Sequence, residues 1–497
     1  MLKLIQSGAP LSFRQRFLLT AKLSWPAIMA QLSSIMMQYI DAAMVGRLGA
    51  DDSAAVGLVS TSLWLFWGLC SAATVGYSVQ VAHRIGAADY AGARAVLKQG
   101  ITASLLFGLF MALIGVAIAG PLPGWLGGTE AVTHKSTLYF MVFVSALPVL
   151  TLNYLGSAML RASGNMKTAG ALNVLMCVFD VILNFFLIFP SRHISVGGIE
   201  ILLPGAGLGV LGAALGTVGA EMLTASLVLW QTCWRQQDLA IYGRLRRLRE
   251  SVAGALKEDN SLRAYRPTGI VLKNALKVSA PMTLEHGVIC GAQIMVTIIV
   301  APLGVMAIAA NSFAVTAEAL CYMPGYGIAD AATTLVGQSY GAKRKDLARQ
   351  FGFLTVGLGM AVMTLMGVIL WLCAPAVMSL LSPVEQIQAL GASALRIEAW
   401  AEPMFAASIV AYGVMVGVGD TVVPAIMNFS SIWLVRLPIA ALLAPTMGLD
   451  GVWLAMCVEL CFRGSIFLWR LLKGTWLKHG LKTEAHPEAG PQVDPNV

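Results

Sequence analysis

The chain has 497 residues, of which 57% are hydrophobic and 12% charged, with a mean hydropathy of +0.75. A soluble domain carries about 25% charged residues, so bulk composition excludes a soluble protein and points to a membrane one. The formal charge of +8 does not signal nucleic acid, because the basic residues cluster between apolar segments with no interleaved aromatic platform.

The N-terminus is short and basic, with Lys3, Arg14, Arg16 and Lys22. The apolar run from Leu23 is too long for the core of a signal peptide and reads as a first span. A span needs about 20 apolar residues. Twelve segments qualify: 24–46, 54–82, 95–119, 134–160, 168–190, 210–234, 278–300, 308–337, 349–373, 388–414, 421–445 and 449–474. With the N-terminus inside, the cytoplasmic stretches and the adjoining span ends hold 27 of the 33 Lys and Arg. That bias predicts both termini in the cytoplasm.

Within this order, residues 1–234 form a first six-helix lobe and 278–474 a second. Residues 235–277 are a basic cytoplasmic linker containing Arg244-Leu-Arg-Arg-Leu-Arg249, a solvated tether or a helix on the inner leaflet. Residues 475–497, rich in Pro, Glu and Gly, read as a disordered tail. The eight Cys lie in or at the ends of apolar segments without a CxxC, so free thiols are expected and no metal site.

The chain repeats itself at an offset of 255 residues. Pro26 recurs as Pro281, Gly49 as Gly304, Gly86 as Gly341, Pro148 as Pro403, Gly164 as Gly419 and Asn173 as Asn428. Glycine and proline mark helix ends and kinks, so matching them matches the backbone path. The predicted fold is therefore an all-α membrane protein of twelve helices in two parallel-repeat bundles. Such repeats hold substrate between the halves near the midplane. The register breaks after the fifth span, where the longer external loop 190–208 reads as a hairpin cap.

Ionisable groups in hydrocarbon cost several kcal/mol, roughly +3 for Asp on insertion scales, so each needs a reason. Nine acids lie inside the spans, clear of their ends: Asp41, Asp180, Glu221, Glu285, Glu318, Asp330, Glu398, Glu402 and Glu459. The bases so placed are Arg436 and Arg463, with Arg396 nearer the outer end of the tenth span. An acidic interior suits the uptake of cations or protons.

Asp41 falls in the outer half of the first span. Asp180 and Asn184 share a face of the fifth. Tyr139 on the fourth span and Thr217 and Glu221 on the sixth reach the same depth. Two carboxylates in a low dielectric do not both ionise cheaply. They bind a proton or a hard cation such as Na⁺, with hydroxyl and amide oxygens completing the shell. These residues form a candidate coupling site, against the alternative of a structural hydrogen-bond network. Asn153, Glu221, Glu285, Glu318 and Glu402 form a second group, for substrate or further protons.

The second half has Val296 and Val435 where the first has Asp41 and Asp180. Glu398 and Glu402 sit one turn apart on the tenth span. Arg436 is free to pair with Glu402 or Glu459, or to touch substrate. The 24 Met and the cluster Trp64, Phe66 and Trp67 fit an adaptable cavity or lipid-facing packing alike.

Three motifs carry a resemblance. They are Trp25-Pro26 followed by Asp41-Ala-Ala-Met-Val-Gly-Arg-Leu-Gly49; Arg161-Ala-Ser-Gly-Asn-Met-Lys-Thr168, echoed by Val-Gly-Asp-Thr421; and Leu335-Val-Gly-Gln-Ser-Tyr-Gly-Ala342. On them the chain resembles the multidrug and toxic compound extrusion (MATE) family of secondary transporters over nearly all of residues 15–475. The resemblance implies two lobes opening alternately, driven by Na⁺ or H⁺ entry, and export of cationic, lipophilic compounds. It implies a coupling role for Asp41 and a helix bend at Pro26. The fifth-span pair of the family is commonly Asn then Asn or Asp; here it is Asp180 then Asn184. Some branches carry an acid where this chain has Ile289, and Glu285 lies one turn nearer the cytoplasm.

The expected protein is thus a multidrug efflux antiporter of the bacterial inner membrane, a monomer among lipids, with no cofactor beyond the coupling ion. A lipid-linked oligosaccharide flippase of related fold is the alternative, and the acidic interior speaks against it. The loop Ala82-His-Arg-Ile-Gly-Ala-Ala-Asp89 does not fit a major-facilitator signature. HExxH and GxxxxGK[ST] motifs are absent from the chain, and Gly337-Gln-Ser-Tyr-Gly341, which fits the GxSxG pattern, continues an apolar segment and makes no strand-to-helix elbow, so neither an enzyme nor an ATP-driven pump is predicted.

Overall fold

The computed structural model describes residues 3–6, 10–196, 199–242 and 262–481. Its spans are α1 (Phe13–Gly46), α2 (Ala50–Gly86), α3 (Tyr90–Ala119), α4a (Glu130–Ser145) with α4b (Leu147–Ala162), α5 (Met166–Ile188) and α6 (Gly209–Trp230) in the first half. The second half has α7 (Gly269–Val300), α8 (Val305–Gly341), α9 (Lys345–Leu381), α10a (Glu385–Glu398) with α10b (Glu402–Val418), α11 (Val422–Met447) and α12 (Leu449–Lys473). Among the described residues, nine helices are long and apolar enough to cross a membrane, and two bent pairs make eleven. The twelfth is α1, less apolar because Gln31, Ser33, Ser34, Gln38 and Asp41 fall in its 34 residues.

Local chemistry sets the helix ends. Ser12 starts α1 with a capping box: its hydroxyl accepts from Gln15 N, and the Gln15 side chain accepts from Ser12 N. Asp89 Oδ1 accepts from Gly92 N to start α3, and Asn165 Oδ1 from Thr168 N to start α5. Gly419, at φ 87°, ends α10b in the left-handed conformation that glycine adopts without strain.

The fourth and tenth spans are each broken into two helices. α4a and α4b meet at 48°, and α10a and α10b at 60°. Pro148 and Pro403 sit at the second residue of α4b and α10b. Each lacks an N–H for the preceding turn and clashes with its carbonyl. Glu398 and Glu402 therefore lie on opposite sides of a break rather than one turn apart on one helix.

The hairpin expected at 190–208 is present: β1 (Pro190–Val196) pairs antiparallel with β2 (Ile199–Ala206), Ile194 opposite Ile201. α7 begins at Gly269, within the stretch assigned to the linker, and the proposed surface helix at 244–249 lies outside the described residues. The tail is ordered at its start. Thr475–Lys478 form a 3₁₀ turn, Trp476 is fully buried, and Leu481 N donates to Val418 O at 2.8 Å. Residues 482–497 lie outside the described residues.

The repeat is visible in backbone conformation. Gly49 and Gly304 have φ 134° and 96°, Gly164 and Gly419 79° and 87°, and the non-glycine pair Ala88 and Lys343 both 60°. The halves join through α1 on α8 and α7 on α2. Small residues let these backbones touch. A Cβ on Gly327 would lie 2.6 Å from Ile28 N, and one on Gly76 2.3 Å from Ala275 O. Lipid offers apolar helix faces no hydrophobic gain, so close packing of this kind holds such bundles together.

Candidate functional site

A cavity of about 690 Å³ opens inside the first half, lined by Asp41, Tyr139, Asn153, Asn173, Thr217 and Glu221, among others. Asp41 faces it from α1. Behind Asp41, on α5, Asp180 and Asn184 are fully buried. The Asn184 side-chain amide bridges the two acids, donating to Asp41 Oδ1 at 2.8 Å and to Asp180 Oδ2 at 3.1 Å. This one nitrogen ties α1 to α5.

The bridge consumes the donors and leaves acceptors over. Asp180 Oδ1 and Asn184 Oδ1 are buried without a hydrogen-bond partner. Buried acceptors of this kind cost about 1–3 kcal/mol each when unsatisfied. A proton on either carboxyl supplies a donor, and a hard cation is satisfied by the same oxygens. α6 shapes the niche: a Cβ on Gly216 would lie 2.0 Å from Asn184 Oδ1.

The remaining first-half candidates line the same cavity. Asn153 Nδ2 donates to Glu221 Oε2 at 2.5 Å, joining α4b to α6, and Tyr139 packs on Phe143 with ring centroids 4.9 Å apart. Thr217 stands one turn before Glu221 on α6. The structure thus brings the six polar side chains of the candidate coupling site and Asn153 into one neighbourhood. Pro26 lies inside α1, and its carbonyl faces α5, where a Cβ on Gly170 would meet it at 2.6 Å.

A second cavity, about 440 Å³, lies between the halves and shares Gln31, Ser71, Tyr154, Arg161 and Asp330 with the first. Glu285 faces it from α7, accepting from Tyr412 Oη at 2.6 Å and from Asn428 Nδ2 at 2.5 Å. Asn428 repeats Asn173, and Glu285 stands where the first half has Ala30. The Asn173 amide accordingly donates to Ala30 O at 2.7 Å and to Ser34 Oγ at 2.8 Å. The second half has placed an acid in a socket the duplication already supplied. Arg161 and Asp330 approach to 3.8 Å across the halves. His286 faces Trp64 O at 3.2 Å.

Glu318 and Glu402 line neither cavity. Both are buried, and Glu402, like Glu398, has no hydrogen-bond partner on either carboxyl oxygen. Arg436 pairs with Glu459, at 2.7 Å, and not with Glu402. Arg463 reaches the same Glu459 at 3.1 Å, and Ser431 donates to it. Arg436 closes a π-helical turn, Ile432–Arg436, which swings it toward α12. Sequence reasoning missed Tyr412 and Asn428 as partners of Glu285, and the Arg161–Asp330 contact. The 255-residue offset did hold the signal for Asn428.

The MatE family model matches residues 26–186 and again residues 281–442. Proteins described as probable multidrug resistance protein NorM are similar over most of the chain. The one from Thermotoga maritima is 24% identical, covering 93% of each chain, and that from Pseudomonas aeruginosa is 28% identical, covering 87% of this chain and 84% of its own. Among solved structures, an outward-facing multidrug resistance MATE family transporter superposes with a TM-score of 0.81 at 21% identity, covering 96% of this chain and 98% of that one. A MATE structure in complex with MaL6 gives 0.81 at 21% identity, covering 93% and 97%. Two matched copies spanning more than half the sequence, in register with the repeat, and this twelve-helix fold place the chain in the MatE family of transporters.

Proposed function

We propose that this protein is a multidrug efflux antiporter, exporting cationic, lipophilic compounds in exchange for Na⁺ or H⁺ by alternating access in a bacterial inner membrane. The observation that carries the reading is the pair of acids bridged by one amide, with the acceptors Asp180 Oδ1 and Asn184 Oδ1 left unpartnered beside them. The lining supports a cationic cargo. Asp41, Glu221 and Asp330 face the larger cavity against Arg161, and Arg161 is turned toward Asp330. A flippase cavity for phosphate would need the opposite balance.

In this reading an external ion enters at Asp41 and neutralises the coupled carboxyls. The Asn184 bridge, which exists to serve two acceptors, then loses its reason to hold α1 against α5. The first-half cavity re-packs and releases the drug, and the empty protein resets. Glu285, steadied by Tyr412 and Asn428, faces the shared cavity as a second anchor for a cationic group. The excess of Lys and Arg on the side of the termini supports placing that side in the cytoplasm.

The test is ethidium efflux from proteoliposomes under separately imposed sodium and proton gradients. Export should follow at least one inward ion gradient and stop when both are collapsed. Export that ignores both gradients would refute antiport.

A further inference from the structure

The third sequence motif, Leu335–Ala342, contributes nothing to either cavity's acids, yet it closes the end of the molecule that carries the chain termini. Gln338 Nε2, on α8, donates to Ala162 O at the end of α4b, at 2.8 Å. His83, on α2, directs Nε2 at Gly417 O near the end of α10b, also at 2.8 Å. A carbonyl oxygen only accepts, so His83 Nε2 carries the proton. His83 and Gln338 are 255 residues apart, as are Ala162 and Gly417. One contact is therefore made twice across the interface, once in each direction.

The surrounding atoms repeat in the same way. A Cβ on Gly86 would lie 2.0 Å from Gln338 O, and one on Gly341 2.0 Å from His83 O. Thr334 Oγ1 donates to Arg161 O at 3.1 Å, while the repeat-equivalent residues Val79 and Val416 share an apolar cluster. His83 is 1% exposed and Gln338 3%.

The acceptors are suited to a contact that must break. Ala162 O and Gly417 O lie in the last turn of their helices, where carbonyls have no partner within the helix. In the closed state the side chains satisfy them, and in an open state water does. The two states then differ little in hydrogen bonding, which is what a reversible seal requires.

We propose that His83 and Gln338 form a two-fold latch that holds the halves together at the terminal end, and that both bonds must release for the cavity to open there. The inference rests on the alternating-access reading only for the purpose of that opening.

Hydrogen–deuterium exchange of the full chain in lipid nanodiscs tests it without substrate or gradient, so a failed latch is distinct from failed antiport. Peptides covering 80–90, 158–166, 334–345 and 415–421 report the latch, and those covering 175–190 and 210–225 report overall folding. Double replacement His83→Leu with Gln338→Leu should raise exchange in the latch peptides about tenfold, leaving the folding peptides unchanged. His83→Gln should exchange at the wild-type rate, because Gln already makes this contact in the other half. The latch is overturned if the double variant exchanges like wild type, if His83→Gln behaves like the leucine variant, or if the folding peptides speed up equally.

Discussion

At the scale of single residues, partner choice decides which buried acids are free to act. Glu459 serves Arg436, Arg463 and Ser431 at once and is a structural anchor. Its replacement by Leu would strand two guanidinium groups in the bilayer interior, at a cost of about 3–5 kcal/mol. The expected outcome is a clearly lowered unfolding midpoint in detergent. An unchanged midpoint would mean the two arginines find other partners. Asp41, Asp180 and Asn184 were readable as a group, because the depth of each follows from counting along a helix. The partner of Arg436 was not, because it depends on how far α11 is rotated by its π turn, which no residue in Ile432–Arg436 announces. Glu402 illustrates the same limit. It lies within an apolar span, but it opens α10b just after the break and lines neither cavity.

At the scale of elements, glycines position the polar groups. Gly216 on α6 leaves just enough room for the Asn184 amide on α5. A new methyl would strike the Asn184 side-chain oxygen first, at 2.0 Å, and would lie 3.0 Å from the Asn184 backbone nitrogen, so the amide must move far while the two helices part only slightly. Gly216→Ala should therefore lower ion-driven efflux about tenfold or more, while the yield and thermal midpoint of purified protein stay near wild type. Full efflux by that variant would show that the bridge tolerates displacement. Span positions were legible throughout, since length and apolar content are properties of contiguous sequence. The breaks in the fourth and tenth spans were not, although Pro148 and Pro403 had been matched as a pair. A proline in an apolar run marks a kink or a helix start equally well, and the difference lies in the 48° and 60° bends that packing selects.

At the scale of the whole molecule, one duplicated frame carries two different polar programmes. The first half builds the bridged carboxyl pair and the second, which has Val296 and Val435 in its place, puts Glu285 into the socket that holds Ala30 in the first half. The frame itself was plain in the sequence because turns that need glycine or proline must recur if the fold recurs. The difference lies in particular side chains, and under the proposed function it makes coupling a property of the first half. Ion and drug then act on one equilibrium, and each must change the other's affinity by the same factor. The most direct test is drug affinity of the purified protein, measured at low and high concentrations of the coupling ion, for wild type and Asp41→Asn. Wild-type affinity should fall about tenfold or more as the ion rises, and Asp41→Asn should bind drug with no such dependence. Equal ion dependence in the two proteins would contradict a coupling role for the Asp41–Asn184–Asp180 bridge.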